Sequence, residues 1–174
     1  MMDPLPAGLY ERVRAREGRL LPDELVARLP QTPPGPPLGG GWPSGLRSAE
    51  RLPPSLKSLP RPLVTLDPGC GNGWLSNRLS QIPGSQVTGA DRSALEIAQA
   101  ARLFGHARLT FLMADMPCLP LARGCADVIV LASVIQYFPD LPALIAALRP
   151  LLRPGGEIPL LDSPLYAPAE LPAA

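Results

Sequence analysis

Three carboxylates and a run of glycines carry most of the chemistry open to this chain. In Leu63-Val64-Thr65-Leu66-Asp67-Pro68-Gly69-Cys70-Gly71-Asn72-Gly73-Trp74 a short apolar run ends in an acid. Glycines follow at alternate positions, and a helix-compatible run from Trp74 to Ser80 comes next. Glycine reaches backbone angles closed to other residues, and it lets main chain press against a ligand with no side chain between. A helix start after such a turn adds N–H groups without intrahelical partners, here expected to face the ligand. The stretch predicts a small-molecule pocket at the carboxyl end of a first strand. Taken alone, a tight turn with no ligand reads the same way.

Spacing narrows the ligand class. A dinucleotide fingerprint needs a small residue three positions after its second glycine, and position 74 is tryptophan. A Walker-type phosphate loop needs Gly-Lys-Ser/Thr, which is absent. Asp91 ends a second apolar run, Gln86-Val87-Thr88-Gly89-Ala90-Asp91. It lies about 20 residues past the glycines, where a Rossmann-like unit places a carboxylate that accepts from ribose hydroxyls. The alternative for Asp91 is a helix-entry cap. Asp115 follows a third run, Leu109 to Met113, and precedes Met116-Pro117; Asp before a turn is common chemistry without any ligand.

Parallel strands and helices are the elements that could position these residues. Ser93-Ala94-Leu95-Glu96 has the form of a capping box, and Leu95, Ile97, Ala98, Ala101 and Leu103 are expected to form the apolar face of its helix. Ala126-Asp127-Val128-Ile129-Val130-Leu131 is almost wholly apolar after Asp127, as for a parallel strand buried on both faces. Asp140-Leu141-Pro142 opens a helix carrying Leu141, Leu144, Ile145, Leu148 and Leu152. Pro154-Gly155-Gly156 is expected to close that unit, with Glu157 to Asp162 as a fifth strand. Pro159 cannot donate to a ladder, so this strand belongs at an edge. The predicted fold is α/β, a doubly wound parallel sheet in order 3-2-1-4-5 with helices on both faces.

The ordered motifs from Leu63 to Ser163 together resemble the class I S-adenosylmethionine-dependent methyltransferases. Asp67 to Gly73 matches their D/E-x-G-x-G-x-G motif, and Leu148 to Gly156 matches the phrase before their fifth strand. The resemblance implies S-adenosylmethionine as cofactor, held by Asp67, Gly69, Cys70, Gly71, Gly73, Asp91, Arg92, Ala114, Asp115, Met116 and Leu131. Within that set Asp67 serves the methionine ammonium group, Asp91 the ribose, and Asp115 with the Met116 backbone the adenine. The loop after strand four is where this family places the transferred methyl, so Ser133, Gln136 and Tyr137 are the acceptor-side candidates. Relatives often carry a histidine near Gln136; here no base is evident and the catalytic residue is unknown. The activity implied is methyl transfer to an unidentified, small-molecule acceptor. A catalytically inactive cofactor-binding module is the alternative, and an aminopropyltransferase ranks below both.

Composition bounds the remainder. The chain has 174 residues and 46% hydrophobic content, which suits one folded core, and its formal net charge of +1 disfavours a nucleic-acid surface. Cys70, Cys118 and Cys125 lack metal-ligand spacing and read as free thiols. Neither an export signal nor a membrane-length apolar run is present in these residues, so the expected location is cytoplasmic. Residues 1–61 read as a helical and Pro/Gly-rich lid and linker. They hold helices near Leu9–Arg16 and Pro22–Leu29, a connector at 30–42, and a helix within Ser48–Leu59. The resemblance implies that this segment folds over the cofactor, with Tyr10 as a lid aromatic. Residues 62–166 read as the binding domain and 167–174 as a tail. The family's last two strands have no counterpart after strand five, so the edge is expected to be covered by the tail, to form a homodimer contact, or to belong to a shortened form of the domain.

Overall fold

The computed structural model describes residues 9–16, 18, 20–31, 50, 52, 56, 59 and 62–163. The expected connector beyond residue 31 and the tail lie outside them. So do most of the expected 48–59 helix, of which Glu50, Leu52 and Leu56 are helical, and the side chain of Tyr10. Among the described residues no helix is long and apolar enough to cross a membrane.

The elements run α1 (Leu9–Arg16), α2 (Asp23–Val26), β1 (Leu63–Pro68), α3 (Trp74–Ser80), β2 (Ser85–Asp91), α4 (Ala94–Phe104), β3 (Leu109–Met113), β4 (Ala126–Ile129), β5 (Leu131–Ala132), α5 (Leu141–Leu148), β6 (Leu152–Glu157) and β7 (Leu160–Leu161). Short 3-10 turns follow β3, β5 and α5. The main sheet has the order β3-β2-β1-β4-β6, with every pairing parallel. β5 and β7 form a second parallel pair.

That second pair continues the main sheet past one break. Val128 faces Glu157, and Leu131 faces Leu160, so the register is unchanged across the gap. Between them Val130 stands opposite Pro159, which has no N–H to donate, and the ladder lapses there. Pro159 still contributes its carbonyl, which accepts from Leu131 N–H at 3.0 Å. Pro154-Gly155-Gly156 lies within β6 and does not close the helical unit. Ala126 pairs with Leu152 and Val128 with Glu157, so a two-residue step on β4 faces a five-residue step on β6. Gly155, at φ +81°, turns this bulge. Leu152 accordingly leaves the helical face and starts the strand.

Alternation along β4 and β5 builds two cores. Val128 and Val130 join Leu63, Val87, Leu75, Leu79 and Phe104 on one face. Ile129 and Leu131 join Leu66, Leu144 and Leu148 on the other. The first core also takes in Leu21, Val26, Leu29, Leu52 and Leu56 from the N-terminal segment. α2 is pinned to α4 by Asp23, which accepts from Gln99 Nε2 at 2.9 Å and from Arg102 Nη2 at 2.8 Å. Gln99 and Arg102 thereby hold the Asp23 carboxyl below its ordinary range.

The face of α4 differs in part from the expected one: Leu103 packs on the core and Ile97 is half-buried. Glu96, Ala100 and Phe104 are buried, whereas Leu95 is 59% exposed and Ala98 and Ala101 are exposed. Glu96 can take a buried place because it is charge-paired (with Arg14, described below), an arrangement that hydrophobic periodicity does not register.

Candidate functional site

The carboxyl ends of β1, β2, β3 and β5 converge on the glycine turn. Gly69, Gly71 and Gly73 take φ of +78°, +53° and +76°. Gly73 is also the N-cap of α3. A Cβ there would lie 2.7 Å from Phe111 Cε1 and 2.8 Å from Ala100 Cβ, so glycine lets α3 seat against β3 and α4. At Gly69 a Cβ would meet Val134 Cγ2 at 2.5 Å and Met116 Cε at 3.1 Å. The turn is thus walled by residues following β3 and β5.

The turn satisfies most of its own amides. Gly69 and Cys70 N–H both donate to the Ala90 carbonyl, at 2.7 and 3.1 Å, and Gly73 N–H donates to the Cys70 carbonyl at 3.0 Å. Gly71 N–H donates to Asp91 Oδ2 at 2.9 Å, and Trp74 N–H points to Asn72 Oδ1 at 3.4 Å. The expectation of ligand-facing N–H groups at this helix start is therefore not met at 69–71, 73 and 74. A loop that cradles phosphate presents such amides outward. This one presents closed main chain.

Carboxylates surround it. Asp67 is buried and accepts from Ser76 Oγ–H at 2.5 Å. Burial pushes its carboxyl up to about 6; Ser76 opposes the shift and the charge of Asp91 adds to it. Asp91, also buried, takes the Gly71 N–H on Oδ2 and the Ser93 N–H on Oδ1 at 2.9 Å. Each oxygen keeps a further lone pair. Ser93 N–H is the group that a reciprocal capping box would give to Glu96; only the half from Glu96 N–H to Ser93 Oγ, at 3.3 Å, matches that motif. Glu96 lies on the far side of the turn, its Oε1 3.4 Å from the Cβ position of Gly71. It pairs with Arg14 Nη2 of α1 at 2.6 Å. Burial first, then Asp67, Asp91 and Glu96, push the Cys70 thiol well above its ordinary range. The thiol stays neutral, and three carboxylates focus a negative field on the turn.

The remaining candidates divide. Met116 is buried against Gly69, Ala114 donates its N–H to the Asp91 carbonyl at 3.0 Å, and Asp115 is exposed just beyond. Arg92 is exposed beside Asp91. Leu131 is fully buried in the second core. Ser133 and Gln136 sit together, Gln136 Nε2 donating to the Ser133 carbonyl at 2.7 Å. Tyr137, in the same 3-10 turn as Gln136, is 43% exposed.

Ser76, Arg14 with Glu96, and Asp162 also belong to this end of the molecule and were not singled out by motif. Ser76 could have been found from its place in the first turn of α3, nine residues after Asp67. Glu96 was legible only as a cap. Ser133 and Asp162 are the two non-glycine residues with positive φ among those described, at +52° and +51°. They stand on neighbouring strand tips, joined by Ser133 Oγ–H donating to the Asp162 carbonyl at 3.2 Å. Left-handed backbone at a non-glycine residue leaves no local sequence signature.

Residues 65–156 match the family model described as a methyltransferase domain. A malonyl-[acyl-carrier protein] O-methyltransferase of Pectobacterium atrosepticum is 38% identical over 96 residues, 55% of this chain and 37% of that relative. An arsenite methyltransferase of Aquipseudomonas alcaligenes is 36% identical over 118 residues, 61% of this chain and 34% of that relative. The chain thus spans well under half the length of these curated relatives. A solved SAM-dependent methyltransferase from Aquifex aeolicus shares the fold, with a TM-score of 0.56 and 18% identity over 77% of this chain and 69% of that one.

Proposed function

The chain belongs to the methyltransferase domain family, and from that premise we propose that it transfers a methyl group from S-adenosylmethionine to a small-molecule acceptor. The observation that carries the reading is the turn at 69–73: the amides of Gly69, Cys70, Gly71 and Gly73 are spent internally, and Asp67, Asp91 and Glu96 flank it. That environment suits a ligand with a cationic centre and hydroxyls, and it is a poor match to a diphosphate. When bound, S-adenosylmethionine supplies an electrophilic methyl group on a sulfonium.

The chain's own residues do the holding. Asp67 accepts from the ammonium group, and Asp91 accepts from ribose hydroxyls on the lone pairs left by Gly71 and Ser93. Asp115 accepts from the adenine amino group, with the Met116 backbone beside the ring. Arg92, Ala114 and Leu131 complete the set, Leu131 through main chain only. Ser133, Gln136 and Tyr137 line the acceptor side. Holding acceptor and methyl group in line can supply roughly 7–11 kcal/mol of the barrier. An acceptor that is already nucleophilic then needs no dedicated base. The relatives named above act on unlike acceptors, so they do not name the acceptor of this chain.

Three unpaired cysteines support a reducing, cytoplasmic setting. The β6–β7 edge, where Leu160 is 40% exposed, is the surface through which a second copy would pair.

Calorimetry with S-adenosylhomocysteine on native protein and Asp91→Ala tests the assignment. Loss of the ribose carboxylate should weaken binding by about 1.5–3 kcal/mol, roughly tenfold to a hundredfold. Equal affinity in the two proteins removes Asp91 from the role. A labelled-methyl assay against a broad small-molecule extract separates turnover from binding alone.

A further inference from the structure

β5 and β7 end side by side, and both chains then turn left-handed at residues that are not glycine. The last ladder pair is Ala132 with Leu161, and Ser133 N–H still donates to the Leu161 carbonyl at 2.9 Å. Ser133 and Asp162 follow at φ +52° and +51°. A strand tip that only had to turn would be served by glycine. Other residues held in this region carry backbone strain, and such residues concentrate at ligand-binding sites. The Ser133 hydroxyl proton is spent on the Asp162 carbonyl at 3.2 Å. The Asp162 carboxylate is partly buried and makes no hydrogen bond or ion pair among the described residues. The chain on either side supplies no counter-charge: residues 128–148 and 154–174 include Asp140, Glu157, Asp162 and Glu170 but no lysine, arginine or histidine.

From this we infer that Asp162 is a specificity-determining residue on the acceptor side, where its carboxylate receives an ammonium or hydroxyl group of the acceptor. The inference rests on the methyl-transfer function proposed above and names the acceptor class that function leaves open: a small molecule, cationic or neutral, that carries such a donor. The donor satisfies the carboxylate, whereas an anionic acceptor would meet a like charge with no cation nearby in the chain to offset it. Ser133 holds the Asp162 main chain in place through its hydroxyl, which ties the specificity residue to the strand tip already placed on the acceptor side. Asp162 is assigned recognition only, with no proton transfer. Aspartate also tolerates left-handed backbone better than most residues, so conformational preference alone could put it there; that alternative predicts that asparagine or glycine serves equally well.

A small-molecule extract divided by ion exchange into cationic, neutral and anionic pools provides the test. Each pool is incubated with native protein and S-adenosylmethionine labelled on its methyl group, and label should appear in the cationic or neutral pool. Asp162→Gly and Asp162→Asn are then compared on the labelled pool, with S-adenosylhomocysteine affinity and melting temperature measured in parallel. Both variants accept the left-handed backbone and keep the main-chain carbonyl for Ser133. Asp162→Gly should raise the apparent KM of the pool about tenfold or more, with S-adenosylhomocysteine affinity unchanged and kcat less affected. Asp162→Asn, which still accepts from a hydroxyl but carries no charge, separates the two donors: a loss as large as that of Asp162→Gly marks an ammonium, and a smaller one marks a hydroxyl. Native KM in Asp162→Gly, or label confined to the anionic pool, overturns the inference and leaves the proposed function standing. An equal loss of S-adenosylhomocysteine affinity in both variants also overturns it, because general disruption of the site would then account for the KM. If native protein binds no S-adenosylhomocysteine or labels no pool, the functional reading itself fails and the acceptor assignment falls with it.

Discussion

Asp67 and Asp127 sit on neighbouring strands at opposite ends of the sheet, and their surroundings give them opposite work. Asp127, near the amino end of β4, accepts from Val64 N–H at 2.8 Å and from Arg153 Nη1 at 2.9 Å. It ties β1, β4 and β6 together away from the pocket. Asp127→Ala strands the Val64 amide and should cost about 1–3 kcal/mol in urea unfolding with ligand affinity unchanged; a loss of affinity would move Asp127 into the site. Asp67 is held at an expense to the fold. Its folded pKa of about 6 lies above the ordinary 3.8. Between pH 4 and 6 the folded state therefore holds the proton more tightly than the unfolded chain, and stability falls as pH rises through that window. At neutral pH this amounts to about 3 kcal/mol. Asp67→Asn keeps an acceptor for Ser76 and removes the charge. It should stabilise ligand-free protein at pH 7.5 by up to about 3 kcal/mol, gain nothing near pH 3.5, and bind cofactor more weakly. Equal destabilisation at both pH values would contradict this account of Asp67.

The glycine turn shows how close packing and backbone angle combine within one element. Gly73 and Gly124 both take left-handed angles, at φ +76° and +62°, but a Cβ at 124 meets nothing within 4 Å. Gly124→Ala should cost about 1 kcal/mol from the backbone alone. Gly73→Ala adds contacts with Phe111 and Ala100 and should cost a further 1–3 kcal/mol, roughly. Comparing melting curves of the two variants isolates the clash, and equal losses would rule it out. At this scale the sequence was legible wherever one local rule decided the outcome. Asp140 caps α5 by accepting from Ala143 N–H at 2.9 Å, with proline in the first turn, and the strand tips carry the acids that the spacing placed there. It was not legible where distant groups decide. The apolar residues expected on the buried face of α4 mark it only in part: Leu103 packs on the core, while Leu95, Ala98 and Ala101 are exposed and Arg14, 82 residues away in sequence, accompanies Glu96 inward. The Pro-Gly-Gly run reads as a stop, yet it is a bulge, since the preceding Leu152 already pairs with Ala126.

Across the whole molecule, the five parallel strands form an open α/β sheet, a class in which ligands bind outside the carboxyl ends, and here the Asp127 ties lie at the amino ends. The sheet's last strand is broken at Pro159 and leaves Leu160 partly exposed. If that edge pairs with a second copy, sedimentation equilibrium of the full chain should give twice the mass of 18.4 kDa, and Leu160→Lys should return a monomer. A strict monomer in native protein removes the pairing. The central claim is that the turn at 69–73, with four of its amides spent internally and the Asp67 and Asp91 carboxylates beside it, selects a cationic adenosyl ligand over a diphosphate. Side-by-side calorimetric titration of the native protein with S-adenosylmethionine, S-adenosylhomocysteine and NADH tests it most directly. The account predicts saturable binding of the first two and none of the dinucleotide; silence toward both sulfur ligands at millimolar concentration, or preferential binding of NADH, would contradict it.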